Sequence, residues 1–287
     1  MPHPPDSANI LKHLEALVGE RNLFTTPDAL EQAAGYIAHQ FQSLGLTVSR
    51  EEVYFEGTFS HNIFGLKEGT DASAGTFILG AHYDSVQGTP GADDNASAVA
   101  ALLEVARCLE DVSAKGSILF TAFTLEEYGF IGSHQMAARV KESGEPISGM
   151  ISLEMLGYRT CEPGSQTYPP YVDPSQYPDT GDFIAVVGNE PSQSLALALA
   201  KTLKQTTPEL GVESLVLPGR ADDFTEVRLS DHCPFWEHDF KAAMLTDTAF
   251  FRNPHYHQAT DTLDTLDIDF IRDICTGLTE YMVDPIT

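Results

Sequence analysis

Apolar residues return every three or four positions over 7–18 and again over 27–44. That is the spacing of one helical face, so two amphipathic helices open the chain on the outside of the fold. Thr26 is placed to cap the second, Pro27 takes its first position and Gly45 follows its end. Residues 47–55 alternate as a half-exposed strand does, and 62–66 can pair with them ahead of a turn-forming stretch at 69–75. From residue 76 the pattern becomes strand and helix in turn, with strands at 76–81, 117–124 and 150–155 and helices at 97–109 and 131–141. Segments 183–187, 192–203, 214–217 and 242–246 continue it, and 268–283 is a closing helix. Such alternation predicts an α/β fold of parallel βαβ units with helices packed on the sheet faces. Residues 157–182 form a Pro-, Tyr- and Ser-rich loop too long for a simple connection, which predicts a cover over an active site.

A chain of 287 residues carries a prior of about two domains. No repeat and no linker divides it, so a single catalytic domain over 1–287 is expected. Hydrophobic residues at 42% supply a substantial core and exclude disorder. The net charge of -26 repels phosphodiester backbones and anionic headgroups, which argues against nucleic-acid and membrane partners. Residues 1–23 have scattered charges and no continuous apolar segment of a secretory signal, and no later run is long enough to span a membrane. The four cysteines are far apart with no CxxC pair, so neither a zinc knuckle nor a redox motif is present. The expectation is a cytoplasmic chain with free thiols.

Ligands of open α/β sheets bind beyond the carboxyl ends of the strands. The residues there are His82 and Asp84, Glu126 and Glu127, Glu154, and His255 and His257, with Gly91-Ala92-Asp93-Asp94-Asn95 leading into a helix. Each piece alone has an ordinary reading as a structural histidine, a solvated acid pair or a helix cap. Together at one sheet edge they would be costly without a compensating cation. Imidazole plus carboxylate without thiolate suits zinc, with cobalt or manganese as substitutes, better than calcium. The donors outnumber what one open catalytic ion takes and fit two ions sharing a carboxylate, spaced about 3.5–4 Å apart.

Five segments in fixed order, Gly80-Ala81-His82-Tyr83-Asp84-Ser85, Pro90 to Ser97, Leu125-Glu126-Glu127-Tyr128-Gly129, Ser152-Leu153-Glu154-Met155 and Tyr256-His257-Gln258-Ala259-Thr260-Asp261-Thr262, closely resemble the co-catalytic zinc exopeptidases. That family includes the bacterial leucyl aminopeptidases, glutamate carboxypeptidase II and, more distantly, glutaminyl cyclase. The resemblance implies a three-layer α/β/α sandwich with a mixed, mostly parallel central sheet. It implies that Asp94 bridges two zinc ions, that Glu127 and His257 complete one site, and that His82 and Glu154 complete the other. Asp84 would fix the tautomer of His82 through a hydrogen bond. Glu126, set apart from Glu127 by the alternation of an extended segment, would be the general base for a water held between the ions.

The chain departs from the bacterial aminopeptidases at Leu229, where a tyrosine precedes the Ser230-Asp231-His232 triplet in those proteins. Tyr256, directly before His257, is the replacement oxyanion donor to test. His232 reads as a buried hydrogen-bonded histidine, Cys233 as packing and 221–223 as a solvated loop. An aminopeptidase acting on peptide or aminoacyl substrates is the leading expectation. A carboxypeptidase or dipeptidase would need an arginine for the substrate carboxylate, and Arg252, Arg220 and Arg228 are available by sequence. A glutaminyl cyclase would use a single zinc, and a non-enzymatic relative would have lost ligands that are all present here.

Overall fold

A computed structural model describes residues 1–285, so the last two positions of the expected 1–287 domain lie outside the described residues. Helix α1 (Ser7–Leu17) starts where the Asp6 carboxylate accepts from Ala8 N at 2.9 Å, and it buries Ile10, Leu14 and Leu17 on one face. Helix α2 (Pro27–Ser43) follows Thr26, but the threonine side chain does not cap it. Its hydroxyl donates to Glu20 O and accepts from Asn22 N, tying the connection between the helices. Pro27, which has no N–H to satisfy, leaves less for a cap to do.

Strands β1 (Thr47–Phe55) and β2 (Thr58–Lys67) form an antiparallel hairpin turned at Glu56-Gly57, both at positive φ. β2 starts at Thr58, ahead of the expected residue 62, because its early residues are held by main-chain pairing to β1 and need no apolar alternation. β3 (Thr76–His82), β4 (Ser117–Phe123), β5 (Ile147–Glu154), β6 (Phe183–Asn189), β7 (Gly211–Leu217) and β8 (Ala242–Thr246) complete one eight-stranded sheet in the order β1-β2-β4-β3-β5-β8-β6-β7. Pairings β4/β3, β3/β5, β5/β8 and β6/β7 are parallel, while β1/β2, β2/β4 and β8/β6 are antiparallel.

Helices α3 (Ala98–Cys108), α5 (Gln193–Thr206) and α7 (Ile268–Val283) pack with α1 and α2 over the larger core. Helix α4 (Ile131–Ser143) and the short α6 (His232–Glu237) cover the other face through Met136, Phe235 and Trp236. The result is a three-layer α/β/α sandwich around a mixed sheet. Helix α6 is too short to show a helical period in the sequence. None of the described helices is long and apolar enough to cross a membrane.

Two histidines of this framework are buried and neutral. His13 bonds the Tyr36 hydroxyl at 2.7 Å, and His232 donates from Nε2 to Val227 O at 2.8 Å. Burial lowers both pKa values, to about 4 once nearby cations and, at His232, the opposing bond to Val227 O are included. Above their unfolded value of about 6.5 neither state is protonated, and between 6.5 and 4 the unfolded chain binds more protons. Their contribution, at most about 3 kcal/mol each, is therefore complete above pH 6.5 and lost as the pH falls toward 4. Urea unfolding of metal-free protein at pH 7.5 and 4.5 checks this. The loss between the two pH values should shrink in His13→Gln and His232→Gln, and an unchanged loss in both would refute it.

Candidate active site

Strands β4, β3, β5 and β8 are adjacent and mutually parallel, so their carboxyl ends meet at one edge. His82 ends β3, Glu154 ends β5, and Glu126 and Glu127 lie in the turn just past β4. His257 comes on the loop after β8. Leu125, Met155 and His257 have positive φ of 58°, 49° and 56°. Strained backbone thus brackets Glu126, Glu154 and His257, the kind of cost that concentrates at functional sites.

The side chains form three sets close enough to hold a metal ion: two share Asp94, one with His82 and Glu154 and one with Glu127 and His257, and the third joins His82, Glu126 and Glu127. Asp94 Oδ1 stands 3.3 Å from His82 Nε2, while its Oδ2 stands 3.1 Å from His257 Nε2. Glu154 lies 3.6 Å from His82 Nε2, Glu126 lies 3.9 Å from it, and Glu127 is 3.3 Å from His257 Nε2. His82 Nε2 and Glu127 Oε1 are fully enclosed yet make no well-formed hydrogen bond among the described residues.

The electrostatics fit a cation. Burial pushes Glu126 well above the usual carboxylate range, with Glu154 and Glu127 adding to the rise and His82 opposing it. Burial and the Asp94 charge push Glu127 up to about 7. Burial also opposes ionisation of Asp94, but the neighbouring imidazoles of His257 and His82 outweigh it and hold its pKa low. Without a cation this cluster must retain protons; divalent ions would take their place. The orphaned His82 nitrogen, the free Glu127 oxygen and the nitrogen–oxygen donor set all suit zinc.

Several supports were not legible as such. Asp84 does not make the expected carboxylate bond to His82: its Oδ1 is 3.6 Å from Nδ1, and Nδ1 is 3.2 Å from the Asp84 main-chain carbonyl instead. The carboxylate accepts from Glu126 N at 3.1 Å and Glu127 N at 3.3 Å. Those two glutamates therefore occupy a tight turn and not an extended segment, with Gly129 N and Phe130 N bonding back to Glu126 O. Asn95 brackets Glu154, donating to Leu153 O and accepting from Met155 N. Ser230 donates to Glu154 Oε2 at 2.7 Å, and Asp261 accepts from Asp93 N and Asp94 N. Behind the cluster Arg21 is fully enclosed, donating to the carbonyls of Leu17, Gly19, Tyr83, Pro90 and Gly91. Asp261 was visible inside a motif; Arg21, between Glu20 and Asn22 in the connection between the first two helices, gave no periodic signal.

Tyr256 stacks on His257, with ring centroids 3.8 Å apart, and lines a cavity that opens beside Glu154. Leu229 sits at the rim of that cavity and is exposed. Residues 157–182 contribute Gln166, Tyr168, Pro169, Val172 and Tyr177 to its wall. His255 hydrogen-bonds Thr260 and belongs to neither group around Asp94. His232 is buried against Trp236, and burial pushes the Cys233 thiol up to about 12, which leaves it no role as a nucleophile. Asp222 and Asp223 are exposed.

A strand-end cluster of imidazoles and carboxylates on an α/β sandwich defines a metal-dependent hydrolase. The chain belongs to Peptidase family M28, whose family model matches residues 62–282, and it is therefore a peptidase. It is 38% identical over 261 residues to the Escherichia coli (strain K12) "Uncharacterized protein YfbL", covering 88% of this chain and 79% of that one. It is 27% identical over 284 residues to leucine aminopeptidase 1 of Arthroderma otae, covering 91% and 69%. Its fold matches BSAP, a zinc aminopeptidase from Bacillus subtilis, with a TM-score of 0.72 at 16% identity, covering 97% and 94%.

Proposed function

We propose that this protein is an aminopeptidase working with two zinc ions, Asp94 bridging them, His82 and Glu154 holding one, and Glu127 and His257 holding the other. Bound there, the ions supply Lewis acidity that polarises the scissile carbonyl and acidifies the attacking water. Glu126, beside His82 but outside both sets of proposed ligands, takes the proton from that water as its oxygen attacks the carbonyl carbon. It then passes the proton to the amine nitrogen as the C–N bond breaks. Burial and the surrounding carboxylates raise the Tyr256 phenol, so it keeps its proton and serves as a donor to the developing oxyanion. Asp84 acts through the main chain, holding Glu126 and Glu127 in their turn.

The observation that carries the choice of aminopeptidase is that none of Arg220, Arg228 and Arg252 lines the cavity beside the site. Arg252 is buried, donating to Gln166 and Phe183 O and lying over the Phe183 ring, with its Nη2 left without a partner among the described residues. Arg220 pairs with Asp239, and Arg228 with Asp222 and Glu237. The cavity meets the carboxylate cluster at Glu154, surroundings that suit a protonated α-amine. Free-amine aminoacyl amides should be cleaved, N-blocked dipeptides should not, and a chelator should abolish turnover that zinc then restores. Cleavage of only the N-blocked substrates would overturn this reading. About one zinc per fully active chain would point to the glutaminyl cyclase pattern.

A further inference from the structure

The register of the sheet reaches beyond the metal ligands. Glu154 on β5 pairs with Thr246 on β8, Thr246 with Ala185 on β6, and Ala185 with Glu213 on β7. Residues directly paired across strands point to the same face, so these four side chains form one row across the floor of the cavity, and all four line it. The next row, Met244, Val187 and Leu215, also lines it and is apolar. Three strand spacings of about 4.8 Å put Glu213 roughly 14 Å from Glu154 along the row. Glu226, from the turn Thr225–Arg228, lines the same cavity.

Glu213 and Glu226 are half-buried, and a carboxylate partly withdrawn from water beside an apolar wall favours a counter-ion. Neither Glu213 nor Glu226 forms an ion pair with a Lys, Arg or His among the described residues; Arg220 and Arg228 pair with other acids, and Arg252 is buried outside the cavity lining. The Glu213 charge reaches the cavity wall at Tyr177, whose phenol burial and then Glu213 raise.

We propose that this cavity selects substrates whose first residue carries a long cationic side chain, arginine or lysine, with its methylene stem along the Met244–Val187–Leu215 floor and its charge at Glu213 and Glu226. Arginine and lysine lay an apolar stem on such surfaces while the head finds polar partners. Leucine and phenylalanine fill the near part of the cavity and stop short of the two glutamates. This inference rests on the aminopeptidase reading.

The test compares kcat/KM for the amides of arginine, lysine, methionine, leucine and phenylalanine on zinc-loaded enzyme. Arginine and lysine should exceed methionine by about ten-fold or more. In Glu213→Gln combined with Glu226→Gln that ratio should fall to within about two-fold of unity, because only the charge partner is lost. The single variants should each lower it in part. Each ratio is measured within one preparation, so a fraction of misfolded protein cancels. An intact enzyme that prefers leucine or methionine, or a double variant that keeps the basic preference, overturns the inference and leaves the aminopeptidase reading standing. Failure to cleave any free-amine amide overturns both.

Discussion

Glu126→Ala is expected to retain the metal content of the parent protein while lowering kcat by about 10²–10⁴-fold, the usual range for a lost general base. The side chain stands 3.9 Å from His82 Nε2, and the main-chain N–H of Glu126, which the substitution keeps, donates to the Asp84 carboxylate, so its removal leaves both groups around Asp94 in place. Asp94→Ala should behave differently. That carboxylate faces His82 with one oxygen and His257 with the other, so its loss should remove both metal and activity. Metal content by elemental analysis alongside turnover separates the two. A fully active Glu126→Ala enzyme would sink the proton-transfer mechanism, and an Asp94→Ala protein with full metal content would remove its bridging role.

Arg21→Met should cost about 3–5 kcal/mol of stability, because it withdraws a buried cation and leaves several enclosed carbonyls unpaired. Burial lowers the Arg21 pKa to about 10, opposed by the charges of Asp84, Asp94, Asp261 and Glu127, so the group remains charged at neutral pH. It donates to Pro90 O and Gly91 O, just before the acidic turn, and to Tyr83 O beside His82, joining two ligand-bearing segments. For a chain of this size the melting temperature should drop by roughly 10 °C. Arg21→Lys should rescue little, since one ammonium cannot span the positions that a planar guanidinium reaches. Thermal unfolding with excess zinc is the measurement. A melting temperature within about 2 °C of the parent protein would show that Arg21 contributes little.

The residue types of the site and the order of its elements were readable from the sequence alone. Apolar periodicity records which face of a segment is buried, a local property, and it placed β1, β8 and α7 with the bounds they have. The strand-end rule then put His82, Asp84, Glu126, Glu127, Glu154, His255 and His257 in one region of the fold with the acidic turn 91–95, and the family resemblance singled out Asp94 and His257 within it. Partnership within that region is not local and leaves no period. Only the packed chain decided that Asp84 holds the Glu126-Glu127 turn, that Arg21 backs the acidic cluster, and that Arg252 is buried against Gln166 and Phe183. The same is true of the Glu154–Thr246–Ala185–Glu213 row, which depends on strand order and on an antiparallel step between β8 and β6. Buried polar groups take their partners from whatever segments the sheet brings beside them, and that adjacency exists only once the distant strands have paired.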